Sequence, residues 1–149
     1  MRVGEVCSRD VRFAYRDQAL VEAAREMLAF HVGALVVVEP GNTLRRPIGI
    51  LTDRDIVRGQ LKRAADLFCL IVGEVMTPTP LTLTADMDIT VAIEAMNSKA
   101  VRRAPVLDST GGLIGIVTLD DLLPALAEEL SELASLMGGQ ARREHHSPQ

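Results

Sequence analysis

The sequence contains no tryptophan, and aromatic residues make up only 3% of its 149 residues, although hydrophobic residues make up 48%. A core without large rings must be assembled from valine, leucine, isoleucine, alanine and methionine side chains. Such side chains suit layers of sheet and helix. The composition therefore favours a chain of the α/β (α+β) class.

Long apolar runs and an excess of positive charge are also missing. No stretch reaches the roughly 18 apolar residues that a membrane span requires, and the opening MRVGEVCSRD lacks the apolar core of a signal peptide. We therefore expect no contact with a membrane and a cytoplasmic location. The formal net charge of −4 argues against nucleic acid as a partner, because nonspecific binding to nucleic acid needs a basic face.

Sequence signatures of catalysis and of metal binding are absent as well. The chain has no nucleophile with a paired base, no P-loop, no HExxH motif and no cluster of cysteine and histidine. Cys7 and Cys69 lie far apart, which favours two packed thiols over a metal or redox site. We predict that the protein is not an enzyme and requires no cofactor. Turnover of ATP or ADP by the pure protein would revive the enzymatic alternative.

What the sequence does contain is an internal repeat. The stretch 48–55 returns as 114–121, and both copies read I-G-I-x-T-x-x-D. The segment VGEV at 3–6 likewise recurs at 72–75. The first copy carries three extra residues, which we assign to a turn-rich connection at 39–47.

The pattern of apolar residues predicts the order β-α-β-β-α in each copy. Asp17 and Asp86 occupy the positions expected for caps of the first helix of each copy. We delimit repeat one at 1–69 and repeat two at 70–137. Because a lone repeat of about sixty residues has a marginal core, we expect the two repeats to pack against each other around a shared core.

The helix that closes repeat two is predicted to be longer than its counterpart in repeat one. A stripe of leucines runs along this helix as far as Met137, and Gly138-Gly139 can end the helix there. Pro124 predicts a kink or a restart within this helix. The remaining residues, 138–149, are expected to form a flexible tail.

The repeated Thr-x-x-Asp admits two interpretations. It is a common helix-capping box, worth about 1 kcal/mol. A cap, however, needs no glycine three residues earlier, whereas a glycine lets a ligand approach the backbone closely. A carboxylate can accept hydrogen bonds from the ribose diol, and a threonine hydroxyl at a helix start suits ribose or phosphate oxygens. The residues concerned are Thr52, Asp55, Thr118 and Asp121.

Two groups of basic residues are further candidates. Arg102 and Arg103 precede a predicted strand and could clamp a phosphate through paired hydrogen bonds; a solvated pair is an equally good interpretation. Copy one has no arginine at the aligned positions, so any clamp would be asymmetric. A basic row with helical spacing has no counterpart in copy two, and a solvated face is favoured there over contact with ligand phosphates or an acidic partner. This row consists of Arg54, Arg58 and Lys62.

In these motifs the sequence resembles tandem CBS domains, the pair known as a Bateman module. The family pattern has a strand ending in G-x-x-[ST]-x-x-[DN], a preceding strand of the type h-P-V-V and an opening segment like V-x-D-V-M-T. Both copies match the first motif, Pro105 falls in the second, at a predicted strand start, and 72–77 matches the third. The match runs from residue 1 to about residue 130 and is weaker in copy one, where Val36 replaces the strand proline.

The resemblance implies a stand-alone regulatory module with two repeats about a pseudo-twofold axis. It implies clefts between the repeats that bind adenosine-containing ligands, AMP, ADP or ATP ahead of S-adenosylmethionine, with the motif aspartate on ribose and the threonine on ribose or phosphate. The motif of copy one would share a cleft with Thr82, and that of copy two with Phe13. The candidate nucleotide-binding residues are therefore Thr52, Asp55, Thr82, Arg102, Arg103, Pro105, Thr118 and Asp121.

The resemblance also implies a flat homodimer that forms through the helices. A stand-alone sensor of this kind would signal through its dimer geometry or through an unknown protein partner. The leucine stripe of the last helix is consistent with such a dimer. A dimerisation scaffold that has the same fold and binds no nucleotide is the alternative, because Thr-x-x-Asp alone can be a helix cap.

Overall fold

The computed structural model describes residues 1–41, 43–78 and 80–145 and contains two copies of the predicted β-α-β-β-α unit. Repeat one consists of α1 (Val3–Val6), β1 (Phe13–Tyr15), α2 (Leu20–Ala29), β2 (Ala34–Val38), β3 (Pro47–Thr52) and α3 (Asp53–Arg63). A short 3-10 helix, Leu67–Cys69, leads to repeat two. Repeat two consists of α4 (Val72–Val75), β4 (Thr77–Pro78), β5 (Leu83–Thr84), α5 (Ile89–Ser98), β6 (Arg103–Leu107), β7 (Leu113–Thr118) and α6 (Leu119–His145). The predicted fold class and element order are confirmed.

Each repeat builds its own small sheet with the same internal order. Strands β1 and β2 pair in parallel, and β2 pairs with β3 antiparallel; β5, β6 and β7 repeat this arrangement. The fourth strand of the first sheet is β4, which belongs to repeat two and pairs with β3. Valines fill the central strand β2, where 35–38 are all buried, as expected for β-branched side chains covered on both faces.

The opening helix of each repeat is exchanged into the other repeat. Val3 of α1 is fully buried in a cluster with Leu83 and Ile89 of repeat two. Val72 of α4 is fully buried in a cluster with Leu20 and other residues of repeat one. The shared core therefore takes the form of two apolar clusters, each completed by a segment of the other repeat. Each cluster therefore contains a fully buried valine from the other repeat.

The helix caps predicted at Asp17 and Asp86 differ from those that the structure contains. That prediction is wrong, because α2 and α5 begin further along the chain. In α5 the cap is Asp88. In α2 the N–H of Leu20 donates to the carbonyl of Leu70, 2.9 Å away, on the chain entering repeat two. A carbonyl distant in sequence thus accepts the bond from a backbone N–H at the start of α2, where the local sequence pattern predicted an aspartate cap.

The glycines of the I-G-I segments also accommodate the exchanged segments. A Cβ added at Gly49 would lie 2.9 Å from the carbonyl oxygen of Thr77. At Gly115 it would lie 2.7 Å from the carbonyl oxygen of Ser8. The close approach in this structure is made by the chain itself, which accounts for both glycines without a ligand.

The closing helix α6 is longer than predicted. It continues through Gly138 and Gly139 to His145, so the prediction that these glycines end it is wrong, while residues 146–149 of the predicted tail lie outside the described residues. The predicted restart at Pro124 is wrong, because α6 continues through this residue.

Candidate functional site

Two cavities lie between the repeats at aligned positions. Cavity one has a volume of about 500 Å³, and cavity two has a volume of about 230 Å³. Cavity one is lined by Ile50, Thr77, Pro78, Pro80, Leu81, Thr82, Lys99, Val101 and Arg103. Cavity two is lined by Ser8, Asp10, Val11, Arg12, Val32, Gly33, Ala34, Arg103, Ile116 and Thr118. The sequence repeat thus produces two related but unequal sites.

The lining of cavity one combines apolar walls with positive charge. Ile50 and Val101 supply apolar surface, Thr82 supplies a hydroxyl, and Lys99 and Arg103 supply two cations. None of its described lining residues is acidic. Such a cavity suits a ligand with an apolar ring and an anionic group, because ammonium and guanidinium groups both bind phosphate oxygens.

Arg103 lines both cavities. It begins β6, where it pairs with Thr118 of β7, and a Cβ added at Gly33 of repeat one would lie 3.9 Å from a terminal nitrogen of its guanidinium. Within the described part of the chain, Arg103 forms no ion pair. Its aligned residue in repeat one is Ala34, so only repeat two supplies an arginine at this position, and that arginine lines both cavities.

The neighbouring Arg102 is placed differently. Its side chain is exposed, lines neither cavity and lies 3.6 Å from Asp120 at the start of α6. Only one of the two candidate arginines therefore reaches the cavities. The other matches the solvated interpretation and provides a natural control in binding experiments.

The Thr-x-x-Asp of repeat one forms a complete capping box behind cavity one. The backbone N–H of Asp55 donates to Oγ1 of Thr52 at 3.1 Å, and the N–H of Thr52 donates to Oδ2 of Asp55 at 2.9 Å. The other carboxylate oxygen accepts a hydrogen bond from the hydroxyl of Thr77 at 3.2 Å. Asp55 is only 8% exposed, and both of its carboxylate oxygens are engaged. Asp55 does not line cavity one itself, but it accepts a hydrogen bond from Thr77, which does.

The Thr-x-x-Asp of repeat two forms the same kind of capping box, but its aspartate is open to solvent. Oγ1 of Thr118 accepts from the N–H of Asp121 at 3.2 Å, and Oδ2 of Asp121 accepts from both the N–H and the hydroxyl of Thr118. Asp121 is exposed, and its Oδ1 has no hydrogen-bond partner among the described residues. Thr118 lines cavity two. Of the two motif carboxylates, Asp121 is therefore the one with an oxygen available.

Pro105 lines neither cavity, but it affects a backbone carbonyl that lines cavity one. It is the buried third residue of β6, so the prediction that it starts the strand is wrong. In repeat one the aligned Val36 donates its N–H to the carbonyl of Arg12 at 3.1 Å. Proline has no N–H, so the aligned carbonyl of Leu81, which lines cavity one, receives no such bond.

Phe13 lies outside the lining of cavity two, although its neighbours Val11 and Arg12 form part of it. The ring of Phe13 is covered by the guanidinium of Arg45, whose central carbon lies 4.1 Å from the ring centroid. The same connection, 39–47, reaches repeat two through a 2.8 Å hydrogen bond from the N–H of Leu113 to the carbonyl of Arg45. Arg45 of this connection thus links Phe13 of repeat one to repeat two.

Several lining residues were missed by the sequence analysis. Lys99 follows α5, and Thr77 belongs to the exchanged strand β4. Arg12 stacks on Phe30, with its guanidinium carbon 3.6 Å from the ring centroid. None of these positions falls within a repeated motif, and Thr77 reaches cavity one because β4 pairs with β3 of repeat one.

Among the residues that the structure describes, no three histidine, cysteine, aspartate or glutamate side chains come together to hold a metal ion. None of the described helices is both long enough and apolar enough to cross a membrane.

Comparison with known proteins identifies the repeats. The CBS domain model matches residues 3–62 and again 72–128. Protein MK0525 of Methanopyrus kandleri is 36% identical over 121 residues, which are 81% of this chain but 60% of that protein. The chain thus spans less than two thirds of that relative.

Two solved structures show the same fold. CBSX2 in complex with AMP superimposes with a TM-score of 0.69 at 23% identity, covering 85% of this chain and 96% of that one. The CBS domain pair of protein MJ0100, in complex with 5-methylthioadenosine and S-adenosyl-L-methionine, gives a TM-score of 0.70 at 22% identity, covering 85% and 99%. At these identities the likeness concerns the fold alone.

Proposed function

Because the chain belongs to the CBS domain family, we propose that it is a regulatory module that binds adenosine phosphates in cavities one and two and catalyses no reaction. The observation that carries this proposal is the pair of aligned cavities between the repeats, with Arg103 at both. The fold itself is compatible with such ligands, since the solved structure of CBSX2 contains AMP.

In cavity one, the phosphates would bind to Lys99 and Arg103, and the ribose hydroxyls would bind near Thr77 and Thr82. The base would lie against the apolar wall. The carbonyl of Leu81, freed by the strand proline, can accept a hydrogen bond from the 6-amino group of adenine. Guanine carries a carbonyl at that position and would leave the acceptor unpaired, which favours adenine.

In cavity two, Thr118 and the available oxygen of Asp121 are the proposed ribose contacts. A carboxylate oxygen that is both exposed and unpaired can accept from the ribose diol without breaking the capping box. Arg103 would again contact the phosphate. The cavity is less than half the size of cavity one, so we expect the smaller AMP to suit it better than ATP.

The charge of cavity one favours AMP, ADP or ATP over S-adenosylmethionine. S-adenosylmethionine has no phosphate and carries a positively charged sulfonium, whereas the described lining holds two cations and no acid. Like charges in one cavity repel, and a phosphate in the same place would be attracted.

A dimerisation scaffold without nucleotide binding is the second candidate. It is favoured by one observation, that both Thr-x-x-Asp motifs form capping boxes without a ligand. In this alternative the cavities would remain water-filled, and the exposed helix surfaces would carry the function.

A thermal-shift panel with AMP, ADP, ATP, S-adenosylmethionine and GTP distinguishes the two candidates. Ligand at about a hundred times its dissociation constant adds ~2.7 kcal/mol to the free energy of unfolding, a shift of about 5 to 10 °C for a chain of this size. We expect shifts with the adenosine phosphates and none with GTP. No shift at millimolar concentrations, with copurified nucleotide excluded by mass spectrometry, would leave the scaffold.

A further inference from the structure

The positive charges that line the two cavities are distributed unequally. Cavity one is lined by Lys99 and Arg103 and by no described acidic residue. Cavity two is lined by Arg12 and Arg103, but also by Asp10. Arg103 belongs to both sets, so the two cavities share part of the charge that would attract a phosphate.

The second arginine of cavity two is already engaged. A terminal nitrogen of Arg12 lies 3.8 Å from a carboxylate oxygen of Asp10, and its guanidinium carbon lies 3.6 Å from the ring centroid of Phe30. Phe30 occupies the position that aligns with Lys99 of repeat two. A cation beside a carboxylate attracts an incoming phosphate less, because the two charges offset each other. A phosphate in cavity two therefore depends on Arg103.

The side chain of Arg103 can serve either cavity. Its residue pairs across the sheet with Thr118, which lines cavity two, and its guanidinium lies close to Gly33, which lines cavity two as well. Within the described part of the chain, no carboxylate forms an ion pair with it. A long side chain that no ion pair fixes retains rotamer freedom, so its guanidinium can turn toward a phosphate in cavity one or in cavity two.

One guanidinium cannot neutralise two phosphates as well as it neutralises one. A phosphate in cavity one that binds both Lys99 and Arg103 leaves cavity two with the offset pair of Arg12 and Asp10. Two phosphates beside a single cation also repel each other. A nucleotide in one cavity therefore weakens binding in the other, and by linkage the factor is the same in both directions.

We propose that the two cavities compete for Arg103, so that adenosine phosphates bind to them with negative cooperativity. Cavity one fills first because it has a second cation, Lys99. Cavity two then binds its nucleotide about tenfold more weakly than it would beside an empty cavity one, the effect of losing one charge-assisted hydrogen bond. The inference rests on the proposed function, because competition requires nucleotide in the cavities. A state with one cavity filled then persists over a wider range of nucleotide concentration than independent cavities would allow.

Methyl NMR of isoleucine follows each cavity separately. Ile50 lines cavity one and Ile116 lines cavity two, so their methyl resonances report which cavity AMP enters at each concentration. AMP is titrated into the wild-type chain and into Lys99→Ala. Lys99 is exposed and lines cavity one but not cavity two, and the methyl spectrum without AMP checks that the variant folds.

Lys99→Ala should have opposite effects on the two cavities. At Ile50 the dissociation constant for AMP should rise about tenfold, because cavity one loses a cation. At Ile116 it should fall about tenfold, because cavity two now fills before cavity one draws on Arg103. Without competition, the loss of a positive charge would weaken anion binding at both cavities. Arg102→Ala, the matched control outside both cavities, should leave both constants within about twofold.

A second background tests whether Arg103 carries the coupling. In chains that already contain Arg103→Ala, the further change Lys99→Ala should no longer tighten AMP binding at Ile116. A gain that survives there would assign the coupling to another group and overturn the proposal.

Independent cavities would overturn it as well. The result would be an Ile116 dissociation constant that is unchanged, raised or too weak to measure in Lys99→Ala, while the Ile50 resonance responds to AMP. Failure of the proposed function looks different, because neither resonance of the wild-type chain would then shift with millimolar AMP. That outcome would refute nucleotide binding itself and the competition with it.

Discussion

Replacement of the two motif aspartates by alanine should have unequal effects on stability. Asp55 is buried, and its carboxylate accepts hydrogen bonds from the N–H of Thr52 and the hydroxyl of Thr77. A hydrogen bond to a charged group contributes roughly 1.5 to 3 kcal/mol. Asp55→Ala removes two of them and leaves Thr77 without a partner, so we expect a loss of about 3 kcal/mol in the free energy of unfolding.

Asp121→Ala should cost less. Its carboxylate is exposed and bonds only with Thr118 among the described residues, which is a helix cap worth about 1 kcal/mol. Urea denaturation followed by circular dichroism measures both losses. In a thermal scan they correspond to falls of about 6 to 12 °C for Asp55→Ala and 2 to 4 °C for Asp121→Ala.

Nucleotide affinity should change in the opposite order. Among the described residues, one carboxylate oxygen of Asp121 has no hydrogen-bond partner, and the other bonds Thr118, which lines cavity two. Both oxygens of Asp55 are engaged, so Asp121→Ala should weaken nucleotide binding more than Asp55→Ala does. Equal costs in stability for the two variants would refute the asymmetry read from burial. If both variants lose stability but keep the nucleotide affinity of the wild type, the two aspartates act only as helix caps.

Two further predictions concern the exchanged segments. Gly115→Ala should cost about 1 to 3 kcal/mol, because the added methyl group would press on the carbonyl of Ser8; urea denaturation measures this, and a neutral result would contradict the close approach. Val3→Ala should lower hydrogen-exchange protection in repeat two, and Val72→Ala in repeat one, because each side chain is buried in the other repeat. Protection lost in the variant's own repeat would contradict the exchange.

Periodicity predicted the elements well where local interactions decide them. The strand predicted at Ala34–Val38 has those bounds in the structure, and the helix predicted after Asp17 spans Leu20–Ala29. Its cap was mispredicted because the carbonyl of Leu70, fifty residues away in sequence, satisfies the donor. Local patterns carry no information about such a partner.

The candidate site was predicted in outline rather than in detail. Thr82, Arg103 and Thr118 line the cavities, whereas Asp55 lies behind Thr77. Repetition pointed to the Thr-x-x-Asp motif, but burial and hydrogen bonding separate its two copies. Lys99 lies outside every repeated motif and could be found only from the fold.

Isothermal titration of AMP into the wild-type chain and two arginine variants tests the central claim most directly. Because Arg103 lines both cavities, Arg103→Ala should weaken binding about ten- to a hundredfold, the equivalent of one charge-assisted hydrogen bond. Arg102→Ala, which removes an exposed neighbour outside both cavities, should leave the affinity within about twofold. Absence of heat from the wild-type chain at millimolar AMP, or equal losses in the two variants, would contradict the account.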